Sequence, residues 1–485
     1  MALWQRFVDA SVSNLQNAGK LQTNKRIPTG FRCYRQMKFE EYQAAYQRKT
    51  RLSKKLYTRA QHVFAGGINH NIRFFSPYPF FVQKAFKNYL VDIDGNKYTD
   101  YWMGHWALIL GHSHRAVSSV SSRQAKSGIL FGTANTLSVQ LAETIQKLMP
   151  RAELMRFSST GSEATMYSVR LARAATGKRV IAKAIGGWHG FNTTLLQTVN
   201  YPFEFDEGLG LIPEEEQFVE SIPFNDLDRS LKILETRKDD LAGIIIEPVL
   251  GAGGCVPATR DYLVGLQEFA KKNSSLFILD EIVTGFRISI HGAMSEYNLE
   301  PDLFTLGKII GGGMPVGLVC GSKEIMSLAD PIIRDQKYKR CSIGGGTFSA
   351  NPATMSAGLS TLNYLKSNKQ TIYTKLNSLG EQLRKRLTRL FNDSKINVKV
   401  TGMGSLFMPH FLGRRDNNKD KVDNALDVAT ANQKLLHMYH ISLMARHNIF
   451  FLPGKMGCFS DAHNTNDLER LISATEAIVE SGVLN

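Results

Sequence analysis

The sequence predicts an α/β protein with a mostly parallel sheet, followed by a smaller α+β unit. Between residues 105 and 360, short runs rich in β-branched residues alternate with helical segments, which is typical of right-handed strand–helix–strand crossovers. After residue 360 the order changes to a long helix, a strand-like stretch and a terminal amphipathic helix. These two patterns predict a large and a small domain.

The predicted elements divide the chain into four segments. Residues 1–40 are expected to be an N-terminal extension, and 41–104 to pack with the small domain through a hairpin turning at Asp94-Gly95. Residues 105–360 form the large domain and 361–485 the small one. Strands are predicted at 179–184, 242–249, 275–283, 316–322 and 396–412, and helices at 161–177, 260–273, 377–393 and 466–483.

Composition excludes several function classes. The 485 residues carry a net charge of +16, but the densest basic run, 384–390, is interleaved with leucines and is typical of a solvated helix face, so no nucleic-acid partner is expected. No stretch is apolar enough to span a membrane, and no metal-ligand spacing occurs. Five scattered cysteines favour a reducing compartment, the cytoplasm, while the basic first 26 residues leave an organelle matrix open.

One lysine stands in an apolar run. Lys308 lies within "FTLGKIIGGGMP" (304–315). Burial would lower its pKa and give a nucleophilic amine suited to a Schiff base. The alternative is a lysine that extends to solvent, but the glycines that follow favour close approach of the backbone to a ligand.

A carboxylate and a helix start accompany this lysine. Asp280 ends the apolar run 276–279, where α/β sheets bind ligands, although a helix cap is an alternative. Thr160, Gly161 and Ser162 open a strong helix, whose free N–H groups suit a phosphate. Ordinary capping through Thr160 and Glu163 is compatible with that role.

Two glycine-rich loops complete the set. Trp188 and His189 lie in "GGWHGFN", where an aromatic ring could stack on a planar ligand, or simply fill the core. Thr347 in "GGGTFSANP" would add a phosphate contact, or mark a turn. Pyridoxal 5′-phosphate requires a lysine amine, a carboxylate, a phosphate-binding helix start and an aromatic ring that stacks on it, and the sequence offers all of these.

Three strings in fixed order carry a family resemblance. They are "LFILDEIVTGFR" (276–287), "PDLFTLGKIIGGGMPVG" (301–317) and "GGTFSANP" (345–352). The chain resembles the class III pyridoxal-phosphate-dependent aminotransferases of fold type I from about residue 60 onward. It is most similar to the branch that contains glutamate-1-semialdehyde 2,1-aminomutase.

The resemblance implies a role for each matching position. Lys308 would form the internal aldimine and move the proton, and Asp280 would hold the pyridine nitrogen. The remaining cofactor contacts would be Thr160, Gly161 and Ser162 at the phosphate, Trp188 and His189 on one ring face, Ile282 on the other, and Glu247 beside the cofactor. Thr347 would reach the phosphate of the neighbouring subunit, which implies a homodimer with active sites at the interface.

Two further positions concern the substrate. Arg73 in "GGINHNIR" matches a carboxylate-binding arginine of the family, with an ordinary ion pair as the alternative. Trp106 matches a tryptophan that lines the substrate channel. The expected partners are therefore a small amino donor that bears a carboxylate and a carbonyl acceptor.

Departures from the aminomutase pattern decide between related reactions. His70 replaces a serine, Ala252 replaces an asparagine, and the stretch 451–463 lacks the substrate-facing glutamate, with Lys455 or Met456 near that place. The sequence therefore predicts an aminotransferase acting through a Lys308 aldimine, with glutamate-1-semialdehyde aminomutase or another mutase or racemase as the alternative. A non-catalytic binding protein is the third hypothesis.

Overall fold

The structure is a computed structural model that describes residues 29–203, 208–332, 340–413 and 421–484. Residues 1–28, which make up most of the predicted N-terminal extension, lie outside the described residues. Within the described ranges, no helix is both long and apolar enough to cross a membrane.

The described residues begin with helices and a small sheet that receives a strand from the C-terminal part. The β2–β3 hairpin turns at Asp94-Gly95 as predicted, and the Asp92 carboxylate accepts the Asn96 N–H at 2.7 Å. Strand β3 pairs in parallel with β15 (Ile449–Phe450), which joins the first hairpin to the C-terminal part of the chain. These elements are α1 (Thr29–Lys49), α2 (Arg51–Ala60), β1 (Val82–Phe86), β2 (Tyr89–Asp92), β3 (Lys97–Asp100) and β15 (Ile449–Phe450).

A seven-stranded sheet of the described residues forms the centre of the large domain. Its strands are β4 (Leu154–Ser158), β5 (Val180–Ala184), β6 (Val219–Ile222), β7 (Leu241–Ile246), β10 (Leu276–Asp280), β11 (Leu303–Gly307) and β12 (Gly317–Gly321). The order is β4-β12-β11-β10-β7-β5-β6, and only β12 runs against its neighbours. The predicted mostly parallel α/β sheet is confirmed. A two-stranded ribbon, β8 (Val249–Leu250) with β9 (Val256–Pro257), follows β7.

Helices cover the sheet and supply its crossovers. Residues of β7 are buried along its whole length, as expected of a strand covered on both faces. Helix α6 packs across several central strands and leads directly out of β4. The helices of this part are α3 (Met103–Trp106), α4 (Arg115–Ser127), α5 (Thr136–Leu148), α6 (Gly161–Thr176), α7 (Leu227–Glu235), α8 (Arg260–Lys272), α9 (Gly292–Tyr297), α10 (Lys323–Ser327) and α11 (Pro352–Ser367).

The C-terminal part is a smaller α+β unit. The predicted strand 396–412 is two antiparallel strands, because Gly402 and Gly404 take positive φ and reverse the chain between them. Its elements are α12 (Lys369–Asp393), β13 (Val398–Thr401), β14 (Leu406–Phe411), α13 (Ala425–Thr430), α14 (Gln433–His447), β16 (Gly457–Cys458) and α15 (Thr465–Glu480).

A buried arginine cross-links these parts. Arg287 follows β10 and is fully buried. Its guanidinium donates to Ser405 Oγ at 3.1 Å, to the Phe459 carbonyl at 3.4 Å and to the Trp106 carbonyl. One side chain thus joins the central sheet, the small domain and the turn that carries Trp106.

Replacing Arg287 by Met should destabilise the fold by about 3 kcal/mol, because buried acceptors lose charged donors. Arg386→Met is the matched control, since Arg386 pairs with Glu469 at the surface, where such a pair contributes less than about 1 kcal/mol. Chemical denaturation of both variants measures the difference. Equal denaturation midpoints for the two would contradict the cross-linking role of Arg287.

Candidate active site

The predicted site residues follow the carboxyl ends of neighbouring strands. Lys308 comes after β11 and Asp280 ends β10, while the loop 159–162 follows β4. Glu247 follows β7, and the loop with Trp188 and His189 follows β5. The carboxyl ends of parallel strands share one edge of the sheet, so the strand order brings the five segments together at the usual ligand-binding edge.

Lys308 leaves β11 in an unusual backbone conformation. Gly307 is extended, whereas Lys308 has φ +46° and starts a 3₁₀ turn over Lys308–Gly311. Burial lowers its pKa to about 8, although Asp280 and Glu247 attract the charge and oppose that shift. A substantial fraction of the amine is therefore neutral near pH 7 to 8, as a nucleophile requires.

Three donors fix the Asp280 carboxylate. His189 Nδ1 donates to Oδ2 at 2.7 Å, and Thr305 Oγ1 and the Ile282 N–H donate to Oδ1 at 2.9 and 3.1 Å. A carboxylate only accepts, so His189 carries its proton on Nδ1. The other ring nitrogen of His189, Nε2, is buried without a partner among the described residues.

Glu247 anchors the loop that carries Trp188. Its carboxylate accepts the N–H of Trp188 at 2.9 Å and that of Gly251 at 3.0 Å. Burial raises the Glu247 pKa, while nearby His189 acts in the opposite direction. Glu247 thus fixes the Trp188 backbone at the end of β7, and the Trp188 ring lies edge-on to Phe191 with centres 4.9 Å apart.

The N-terminus of α6 combines a cap with free donors. Glu163 accepts the N–H groups of Ser159 and Thr160 at 2.8 and 2.9 Å, and the Thr160 hydroxyl accepts the Glu163 N–H, so the capping box is present. The next N–H groups, of Gly161 and Ser162, have no acceptor within the helix. Ser162 Oγ accepts from the Phe191 N–H and keeps its own proton to donate.

Close packing explains two glycines beside this helix start. A side-chain carbon on Gly161 would lie 2.7 Å from Ile282 Cδ1, and one on Gly190 would lie 2.3 Å from Ser162 Oγ. Ile282 therefore packs against the turn that starts α6. The backbone is left open to ligand oxygens, a feature that side chains would remove.

Thr347 lies at the surface of the chain. It is exposed, and the loop before it approaches α6, since a side-chain carbon on Gly346 would lie 3.4 Å from Glu163 Oε1. The loop therefore borders the turn that starts α6 in the same chain. The contact of Thr347 with a neighbouring subunit stays a prediction.

The structure brings one of the two predicted substrate residues to Lys308. The Lys308 Nζ atom lies 5.9 Å from the ring centre of Trp106, whose Nε1 donates to the Met456 carbonyl at 3.0 Å. Arg73 is exposed and donates weakly to Asn69 Oδ1 at 3.4 Å. Among the described residues it forms no ion pair, so its guanidinium remains available for a ligand.

Sequence reasoning missed two contributors. Thr305 is opposite Asp280 in the parallel β10–β11 register, and a lone hydroxyl in an apolar strand was its only signal. His105 has φ +63° and stacks on Trp102 with ring centres 4.5 Å apart. Burial, and secondarily Lys308, lower the His105 pKa to about 3, so the ring is neutral at physiological pH.

Known proteins are similar to this chain over most of its length. The aminotransferase class-III family profile matches residues 74–441. Glutamate-1-semialdehyde 2,1-aminomutase from Methanosarcina acetivorans is 34% identical over 431 residues, which cover 87% of this chain and 97% of the relative. The corresponding Methanothermobacter thermautotrophicus protein is also 34% identical, over 89% of this chain and 100% of its own length.

Solved structures share the fold. An omega-transaminase from Sphaerobacter thermophilus has a TM-score of 0.80 and 30% identity, over 88% of this chain and 97% of its own. A β-phenylalanine aminotransferase from Variovorax paradoxus has a TM-score of 0.83 and 26% identity, over 92% and 97%. A transaminase with bound pyridoxal phosphate has a TM-score of 0.80 and 29% identity, over 90% and 98%.

The residues at the carboxyl edge fit this cofactor. The lysine with a lowered pKa suits the aldehyde of the cofactor. The buried carboxylate held by three donors suits the ring nitrogen, and the helix start with open backbone donors suits the phosphate. The hypothesis of a non-catalytic binding protein is thereby excluded. The chain belongs to the class III aminotransferase family and is a pyridoxal-phosphate-dependent enzyme of fold type I.

Proposed function

We propose that the chain is an aminotransferase that moves an amino group between an amino acid and a carbonyl compound. The charge beside Lys308 carries this proposal. The pKa of His105 is lowered by burial first and then by the cations Lys308, Arg73 and Lys455 and by His70. These cations form a positively charged wall beside Lys308, which would favour a carboxylate and repel a second ammonium group.

The rival proposal is glutamate-1-semialdehyde aminomutase. It is favoured by the names of the archaeal relatives at 34% identity. An aminomutase must retain an intermediate that bears two amino groups, whereas a transaminase releases an oxo product. The positively charged wall disfavours retention of the diamino intermediate and is compatible with release of the oxo product.

The side chains at the carboxyl edge would divide the chemistry among them. Bound pyridoxal phosphate supplies an electron-withdrawing ring that stabilises negative charge on the substrate carbon next to the amino group. Lys308 Nζ would take the proton from that carbon and donate it to the carbon on the cofactor side of the amino nitrogen, as transfer of the amino group requires. Asp280 would accept the N–H of the ring nitrogen, and His189 would hold Asp280 in place. Trp188 and Ile282 would confine the ring between them.

Phosphate binding and assembly belong to the same proposal. The N–H groups of Gly161 and Ser162 would bind phosphate oxygens, with Thr160 positioned by the capping box. Thr347 of a second subunit would complete the phosphate site, so the active form would be a homodimer. We place the enzyme in the cytoplasm, which the scattered free cysteines support.

Lys308 should capture the cofactor with a low apparent pKa. In the cofactor-free protein, capture should accelerate as the pH rises through about 8, because the amine is protonated below that value and neutral above it. Stopped-flow absorbance measures the rate. Borohydride should then fix the cofactor on Lys308, as peptide mass spectrometry detects.

Two variants make this test decisive. Lys308→Ala should lose both covalent capture and amino transfer, whereas Lys366→Ala, at an exposed lysine, should keep both. A midpoint near pH 10.5, or turnover by Lys308→Ala, would disprove the assigned role of this lysine.

Asp280→Asn should lower kcat for amino transfer roughly 100-fold to 1000-fold, because the ring loses the buried charge that keeps it electron-withdrawing. Asp302→Asn is the matched control. Asp302 accepts the Phe277 N–H at 2.8 Å, at the start of β11 and away from the site edge, so its variant should retain kcat. Similar kcat values for the two variants would argue against Asp280 as the partner of the ring nitrogen.

A single-substrate assay separates transfer from isomerisation. An amino donor alone should convert the bound cofactor to its amino form and release one oxo acid per active site, and a carbonyl acceptor should reverse the change. Cofactor absorbance and chromatography of the products follow both steps. Repeated turnover of glutamate-1-semialdehyde with no donor and no released oxo acid would instead establish the aminomutase.

A further inference from the structure

We propose that His112 is a positioning residue of the active site: through Asp100 it holds a strained left-handed turn, Met103–Trp106, that keeps the Trp106 ring beside Lys308. His112 would thus act on the reaction through Asp100 and this turn. The inference rests on the role proposed for Lys308 but not on the identity of the substrate.

The turn that carries Trp106 is wound in the left-handed sense. Its four residues have φ of +45° at Met103, +61° at Gly104, +63° at His105 and +64° at Trp106. The Trp106 N–H donates to the Trp102 carbonyl at 2.9 Å, which closes one turn. This winding brings the side-chain carbon of an L-residue close to the following carbonyl oxygen, so residues other than glycine normally adopt it singly. Three of the four residues carry side chains, and such strain persists only where neighbouring groups impose it.

The carboxylate of Asp100 fixes the start of the turn. Its Oδ1 accepts the Trp102 N–H at 2.8 Å, and its Oδ2 accepts the Met103 N–H at 3.1 Å. Asp100 ends β3 and is fully buried, and the strand pairs there with Phe450 of β15. A buried carboxylate keeps its position only when enough donors surround it, so Asp100 needs a further partner.

His112 supplies that partner. Its Nε2 lies 2.7 Å from Asp100 Oδ2, and because a carboxylate only accepts, the ring donates through Nε2. The His112 backbone is fixed in turn, since it exchanges two hydrogen bonds with Lys87, of 2.6 and 2.9 Å. A side-chain carbon on Gly111 would lie 2.8 Å from the Lys87 carbonyl oxygen, so the two segments are in close contact. His112 therefore presents its ring to Asp100 from a rigid position.

The other end of the turn lies at the active site. The Trp106 carbonyl accepts from the Arg287 guanidinium, and its indole Nε1 donates to the Met456 carbonyl at 3.0 Å. The centre of the indole ring lies 5.9 Å from Lys308 Nζ. A return of the turn to right-handed φ values would move this ring. The conformation that Asp100 holds therefore sets the position of one surface beside the lysine amine.

The reactivity of Lys308 depends on its surroundings being closed to water. Burial is the largest cause that lowers its pKa to about 8, while Asp280 and Glu247 raise the pKa and Arg287 lowers it. A displaced Trp106 would admit water and remove part of the effect of burial. The amine would then stay protonated, and unreactive, to a higher pH.

Removal of the His112 ring should change cofactor capture by Lys308. His112→Leu should raise the pH midpoint of capture by roughly one pH unit and slow capture at pH 7 roughly tenfold, as stopped-flow absorbance measures. His112→Gln should restore the midpoint near 8, since its amide N–H can still donate to Asp100. Tyr439→Phe is the matched control, because it loses a buried hydrogen bond to Thr475, of 2.7 Å, in the small domain. Its midpoint should not change.

Hydrogen exchange of the cofactor-free protein tests the turn without Lys308. The N–H groups of Trp102, Met103 and Trp106 are bonded in the left-handed turn and should exchange slowly in the unmodified protein. They should exchange roughly tenfold faster in His112→Leu than in Tyr439→Phe, because the local opening becomes easier. Mass spectrometry of peptides that span 100–108 measures both rates.

Two results would overturn the inference. One is rapid exchange over 102–106 in the unmodified protein, which needs no variant and is informative even if His112→Leu fails to fold. The other is a capture midpoint that is the same in folded His112→Leu and in the unmodified protein. Failure of the role proposed for Lys308 is distinct from both, because the unmodified protein would then form no borohydride-stable adduct at that lysine.

Discussion

The half-buried position of the Lys308 amine is the constraint on which the active site depends. An isolated ammonium in a protein interior is unstable, and a fully compensated one would be too weak a nucleophile. Asp280 and Glu247 offset part of the cost, and the resulting pKa of about 8 lies between these extremes. Each acid then needs its own donors, which explains why His189, Thr305 and three backbone N–H groups surround the two carboxylates.

The antiparallel strand β12 makes this arrangement compact. Gly317 pairs with Gly307, next to Lys308, and with Ser158, next to the turn that starts α6. A side-chain carbon on Gly317 would lie only 1.9 Å from the Thr160 carbonyl, so no other residue allows this approach. One glycine between two strands therefore fixes the spacing between the lysine and the helix start that would hold the phosphate.

Local sequence patterns predicted the residues that meet at the carboxyl edge of the sheet better than they predicted all strands of the sheet. Strands such as β7 and β10 are continuous apolar runs and were predicted, but β4 contains Arg156 in a short run, and β11 was considered only as part of the lysine motif. The stretch 396–412 was predicted as one strand because its reversal depends on two glycines. Arg287 bonds residues more than 100 positions away, so its role follows from the folded chain alone.

The proposed choice between amino transfer and isomerisation depends on the charges beside Lys308. Lys308, Arg73 and Lys455 each lower the His105 pKa after burial, so in the proposed function they would raise the energy of a species that carries an extra ammonium. An oxo acid lacks that group. In the proposed aminotransferase, these charges would therefore favour release of an oxo product over retention of a diamine.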